Sequence, residues 1–185
     1  VALGGAYDGH QLPEDIHAFT KASAEGLVGL GLMGVAKDTY PRDGDTYGFV
    51  AGFAEVEVDV ETGVVSLIDF LSVGDVGTVV NPRSLIAQLN GGCCLGIAHA
   101  LFQKLVYDPH YGVSLARRFH YNKPLTIMDI PVHLKAEGLG IPDPETPTGA
   151  KGVGEPPVGA GYGAGLNAIG SAIGVDTFRR APVTS

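Results

Sequence analysis

Gly149-Ala150-Lys151-Gly152-Val153-Gly154-Glu155-Pro156-Pro157-Val158, running on through Gly159-Ala-Gly-Tyr162-Gly-Ala-Gly165, sets one carboxylate between glycines and a pair of prolines. Glycines let a backbone pass close to a ligand or adopt positive φ. Proline suits the first turn of a helix, where its missing N–H would have had no partner. Downstream, Val158, Tyr162, Leu166, Ile169 and Ile173 recur at helical spacing, and Gly174 marks a stop. Glu155 therefore sits on a tight loop at the mouth of a helix. Two roles are open to it there: a cap that satisfies the helix's free N–H groups, or a chemical group presented to a ligand. A phosphate loop is excluded, because G-x-x-x-x-G-K-[ST] is absent and an acid would repel phosphate.

Working outward, the next clear element is a strand from Phe49 to Val60. Val56, Val58 and Val60 alternate with Glu55, Glu57, Asp59 and Glu61, so one face is buried and the other wet. Glu61-Thr62-Gly63 reads as a hairpin turn, returning as a strand over Val64–Val73. Glu55 and Glu57 read as a solubilising face rather than a catalytic pair. Gly74-Asp75-Val76-Gly77 reads as a second turn. Asn81-Pro82 then starts a helix, Asn as cap and Pro at the first position, reaching to about Tyr107. Gln88 projects an amide from its first half, either a surface side chain or one that contacts a heterocyclic ligand. Cys93 and Cys94 read as small buried hydrophobes in this helix, and His99 as an ordinary partly buried histidine rather than a ligand. Pro13 opens an earlier helix to about Leu27, and a turn follows at 41–45. Arg117, Arg118, His120 and Lys123 form a basic patch, either solvated or used by an anionic partner group. Leu125–Leu134 reads as one or two short strands broken at Pro131. A proline-rich loop then delivers the chain to Lys151.

Composition narrows the class. The formal charge of −8 argues against a nucleic-acid partner, and no basic cluster is large enough to contradict this. No apolar run reads as a membrane span, and the opening residues do not read as a signal peptide. Two adjacent cysteines and scattered histidines offer no metal-ligand spacing, so no residue is assigned to a metal, and a reducing, cytoplasmic compartment is expected. The 28 glycines in 185 residues are about twice the usual share of roughly 7%. They cluster within helix-like segments, where each costs ~1 kcal/mol against alanine. Gly91, Gly92 and Gly96 are expected to leave helix backbone open for a cofactor or partner to cover.

Three blocks in order are specific: A-E-V-E-V-D-V-E-T-G-V-V over 54–65, D-V-G-T-V-V-N-P-R-S-L-I-A-Q-L-N-G-G-C-C-L-G-I-A-H-A-L-F over 75–102, and K-G-V-G-E-P-P over 151–157. Together they resemble the C-terminal part of the molybdenum-binding subunit of the xanthine oxidase family of molybdenum hydroxylases. The resemblance runs from about Tyr47 to Gly174. It implies an α+β fold, mixed sheets with packed helices, with 1–46 a loosely matching N-terminal loop and helix and 47–185 a molybdopterin-binding domain.

It also implies roles. Glu155 would be the base that takes a proton from molybdenum's hydroxyl ligand, with Gly152, Val153 and Gly154 beside the cofactor and Gln88 against the pyranopterin. The metal would be held by the pterin, in its cytosine dinucleotide form, without a protein ligand. The substrate would be an N-heterocyclic aromatic, purine- or nicotinate-like, or an aldehyde. Carbon monoxide dehydrogenases and hydroxybenzoyl-CoA reductases compete within the family; a non-catalytic assembly subunit competes outside it. The family's upstream cofactor motifs, iron–sulfur domains and flavin domain are not found here. Partners carrying the rest of the molybdenum site, [2Fe–2S] clusters and FAD are therefore implied, with this chain a fragment or a split subunit like some nicotinate dehydrogenases.

Overall fold

A computed structural model describes residues 18–26, 43–174 and 178–183 of the chain. Contacts divide the chain into two units, Val1–Asp45 and Thr46–Ser185. In the first, helix α1 spans Ala18–Glu25; the remainder of the helix expected from Pro13 to Leu27, apart from a turn residue at Gly26, lies outside the described residues.

The second unit holds strands β1 (Phe49–Val58) and β2 (Val65–Asp75), helices α2 (Pro82–Leu101) and α3 (Phe119–Asn122), strand β3 (His133–Leu139) and helix α4 (Pro156–Ile173). The strands form one mixed sheet in the order β1-β2-β3, β1 antiparallel and β3 parallel to the central β2. This is the α+β arrangement with the antiparallel pair expected from the alternation around Val56. Parallel pairing requires a crossover, and α2 lies in the connection that carries the chain from β2 to β3.

One face of the sheet is packed. On β1 the buried side carries Val50, Gly52, Ala54, Val56 and Val58. On β2 the inward phase changes in mid-strand: Val65 and Leu67 face in before Ile68, Phe70, Ser72 and Gly74 after it. The register explains this, since Glu55 pairs with Asp69 and Val56 with Leu67, leaving Ile68 as an extra residue. A bulge of this kind swaps faces without breaking the strand. Phe70, Cys93, Ile97, Leu101 and Ile169 form the core between this face and the helices.

Several boundaries differ from the sequence reading. The hairpin turn is organised by Asp59: its carboxylate accepts the N–H groups of Glu61 (2.9 Å) and Thr62 (3.2 Å), and Gly63 closes it at φ +74°. Val60 is thus a turn residue, 85% exposed, rather than the end of a strand. Gly74 and Asp75 belong to β2 and not to a turn, because both have partners on each side, Val50 and Phe49 on β1 and Gly138 and Leu139 on β3. Helix α2 ends at Leu101, short of Tyr107. The chain beyond folds back instead, with Asp108 N–H on the Val113 carbonyl and Leu115 N–H on the Val106 carbonyl. Residues 125–130 are not a strand: Asp129 gathers the Thr126 N–H (2.8 Å) and hydroxyl (2.7 Å) into a turn. Lys123 of the basic patch is engaged rather than merely solvated, 3.5 Å from Asp129 and over the Phe102 ring.

By length and composition α2 would reach across a bilayer, against the reading that no run does so. Its buried residues mark it as a core helix. Leu89, Cys93, Ile97 and Leu101 are buried, and Gly92 and Gly96 lie against α4. A Cβ at Gly92 would stand 2.7 Å from that of Pro157, one at Gly96 would strike the Val158 carbonyl, and one at Gly161 would strike the Cys93 carbonyl. Farther on, Gly165 meets Ala100. Contact positions rise together along both helices, so α2 and α4 run parallel, with the start of α4 against the middle of α2. The glycines at 92 and 96 are therefore covered by the neighbouring helix, not by a cofactor; only Gly91 on α2, with Gly159 and Gly163 on α4, retains open space.

Candidate active site

The loop that presents Glu155 is built on the end of β2. Gly149 takes φ +71°, and its carbonyl accepts the N–H groups of Thr78 (2.7 Å) and Asp143 (2.9 Å). Asp143 is buried and caps its own turn by accepting the Glu145 N–H at 2.8 Å. Gly77 pairs with Ala150 across a short bridge at φ +65°, where any Cβ would run into the Gly149 carbonyl. Lys151 N–H donates to the Val76 carbonyl at 2.9 Å, and its ammonium group lies 2.7 Å from Asp75. Residues 75–78 and 149–151 are thereby laced together.

From there Gly152, Val153 and Gly154 lead to Glu155. Gly48 packs on the Gly152 carbonyl, at 2.9 Å from where its Cβ would be, and Gly154 approaches Gly92. Glu155 has a helical backbone (φ −85°, ψ −27°) and an exposed side chain that makes no capping hydrogen bond. Its carbonyl already accepts the Val158 N–H at 2.8 Å. The capping role considered for this carboxylate is not the one the geometry displays. Asn81, by contrast, is a working cap: its side chain accepts the Ser84 N–H at 3.1 Å.

A cavity of about 220 Å³ opens between the start of α2 and this loop, with Gln88 and Ser84 on one wall, Thr78 and Val79 at the back, and Lys151 and Val153 on the other wall. The sequence-predicted Gln88 and Val153 thus share one space. Glu155 is not among its lining residues; it follows Val153 by two positions in the chain. Gly152 and Gly154 are exposed, with open space where a Cβ would be. Asp75 and Lys151, which frame the site, were not picked out by sequence, and their pairing across 76 positions leaves no local signal.

Among the described residues no three or more histidine, cysteine, aspartate or glutamate side chains gather as a metal site. Burial pushes the Cys93 thiol up to about 11, the Ser72 hydroxyl opposing it, and burial raises Cys94 as well. Neither is a thiolate near neutral pH, so neither suits a metal or a nucleophilic role. What remains is an amide, an uncapped carboxylate and glycine backbone with nothing above it. This donor set fits a large cofactor held through amide and main-chain contacts rather than through side chains bound to its metal.

Residues 17–131 match the family model of the molybdopterin cofactor-binding domain. The carbon monoxide dehydrogenase large chain of Afipia carboxidovorans is 34% identical over 137 residues, covering 74% of this chain and 17% of its own. The nicotine 6-hydroxylase large subunit of Paenarthrobacter nicotinovorans is 33% identical over 118 residues, covering 64% of this chain and 14% of its own. Among solved structures, the carbon monoxide-reduced state of a Cu,Mo-CO dehydrogenase superposes with a TM-score of 0.65 at 34% identity, over 72% of this chain and 16% of that one. The chain thus spans less than a fifth of the length of these relatives.

Proposed function

The chain belongs to the molybdopterin cofactor-binding domain family, in the xanthine oxidase group of molybdenum enzymes, and from that premise we propose that it supplies the base and one wall of the cofactor site in a molybdenum hydroxylase. The observation that carries this reading is the uncapped Glu155 carboxylate at the mouth of α4, two residues after Val153, which lines one cavity with Gln88.

In this reading Gln88 orients the pterin with its amide. Gly152, Val153 and Gly154 offer backbone and a small apolar wall. The bound molybdenum cofactor, in its cytosine dinucleotide form, supplies oxygen transfer and accepts two electrons. Glu155 accepts one proton at its carboxylate and holds it until release. Positioning and proton acceptance are what this chain's own residues contribute, and a well-placed general base is worth about 10²–10⁴ in rate.

The substrate is an N-heterocyclic aromatic or an aldehyde. The rest of the molybdenum site, the [2Fe–2S] clusters and FAD are carried on partner chains, and the complex is cytoplasmic. A second reading, a carbon monoxide dehydrogenase-like member, is favoured by the 34% identity to that large chain. A panel of nicotinate, a purine, an aldehyde and carbon monoxide offered to the purified complex separates the two.

The base role is tested by Glu155→Gln in the complex, with molybdenum and pterin measured on the same preparation. Turnover should fall by about 10²–10⁴ at full metal content. Retained turnover would leave this chain as an assembly subunit.

A further inference from the structure

Glu155 is the end of a short tether, and the tether has one strong anchor. Lys151 Nζ lies 2.7 Å from Asp75 Oδ2, the two side chains 15% and 30% exposed. The Lys151 main chain is held too, through its N–H on the Val76 carbonyl at 2.9 Å. Beyond this point main-chain hydrogen bonding stops. Among the described residues, no main-chain N–H of Gly152, Val153 or Gly154 donates to a main-chain carbonyl, and the next such bond is the one from Val158 to Glu155. Two of those three residues are glycines with open space where a Cβ would stand, so the tether gets little conformational restraint from its own side chains. Lys151 is the last fixed point before the carboxylate.

The pair differs from an ordinary surface ion pair in two ways. It is mostly withdrawn from water, where charge is screened less. It also shapes the site, since Lys151 and Val153 line the same cavity as Gln88.

We propose that Asp75 and Lys151 are positioning residues that fix the depth at which Glu155 is presented, Asp75 serving also to keep the lysine ammonium off the catalytic carboxylate. The proposal rests on the reading of Glu155 as the base. Without Asp75, a flexible ammonium on the same loop as Glu155 has that carboxylate as its nearest new partner along the chain. An ion pair there would hold Glu155 ionised to lower pH. Without Lys151, the tether is loosened and no such competitor appears. The two losses therefore leave different traces.

The test uses the molybdenum-loaded complex with its partner chains, carrying Lys151→Met, Asp75→Asn, both together, or Lys151→Arg. Each of the first two should lose kcat by on the order of a hundredfold, as misplacement of a reacting group by about an ångström does, with KM and molybdenum content unchanged. The double variant should be no worse than the worse single one, because the two side chains act as a unit. Lys151→Arg should retain most of the activity. Only Asp75→Asn should move the acidic limb of the kcat pH profile, and it should move it downward. Amide hydrogen exchange over 152–155 should quicken in both single variants, in metal-free complex as in loaded.

Unchanged kcat and exchange in Lys151→Met, additive losses, or an unmoved acidic limb in Asp75→Asn overturn the proposal. Glu155→Gln keeps the two readings apart. Retained turnover there removes the base reading and this one with it, whereas a dead Glu155→Gln beside a normal Lys151→Met removes only this one.

Discussion

Glu155 enters α4 with its backbone already helical and its side chain uncapped, so the helix start is maintained by Pro156 and the Val158 N–H instead. The motif made this position legible, since a single acid between glycines and prolines has few purposes. It could not reveal Asp75, which reads locally as part of a turn and becomes a loop anchor only because β2 runs on between two partners. Cys93 was legible as a buried hydrophobe, and its titration follows. Burial places its folded pKa at about 11, above the ordinary thiol value of about 8.5. For a group raised in this direction, the stabilising contribution is present below the unfolded value. It is lost as pH climbs from about 8.5 towards about 11. Cys93 should therefore resist iodoacetamide at pH 8 in the folded complex and react once the chain is unfolded, as peptide mass spectrometry after labelling would reveal.

At the level of elements, the hairpin and both long helices follow from alternation, from Asn81-Pro82 and from Pro156-Pro157. Their mutual arrangement does not. Glycine at 92, 96, 161 and 165 could equally have meant exposed backbone awaiting a ligand; which surface it faces is decided by tertiary contact, and here α2 and α4 fill that space for each other. Gly161→Val should cost about 3 kcal/mol, since it forces extra volume against the Cys93 carbonyl in a packed interface. Chemical denaturation of the complex would measure it, with pterin content falling in step if the helix pair frames the site. Gly159→Ala, which faces open space, should be neutral or slightly stabilising.

On the scale of the whole molecule, the three sequence blocks that carry the resemblance are the ones the fold gathers: Asp75 meets Lys151, Gly92 meets Pro157, and β1 packs on α4. That is why so short a stretch of pattern identified the family. Substrate and partners stayed illegible because the chain spans less than a fifth of the relatives it matches. Native mass spectrometry of the complex should show a larger molybdenum-site chain bound with this one. A stable monomer that retains molybdopterin alone would contradict that.

The parallel seam between α2 and α4 has one more consequence. Gln88 and Glu155 are 67 positions apart in the chain, yet the placing of α2 against α4 is gauged by where Gly92 abuts Pro157. The excursion between the helices includes an exposed tip at 108–113, turned by Asp108 and Gly112, and it contributes nothing to that gauge. Residues added at the tip should leave both turnover and melting temperature where they were. In this fold the spacing of the two helices is a property of a touching pair of backbones, and the length of polypeptide strung between them is free to drift.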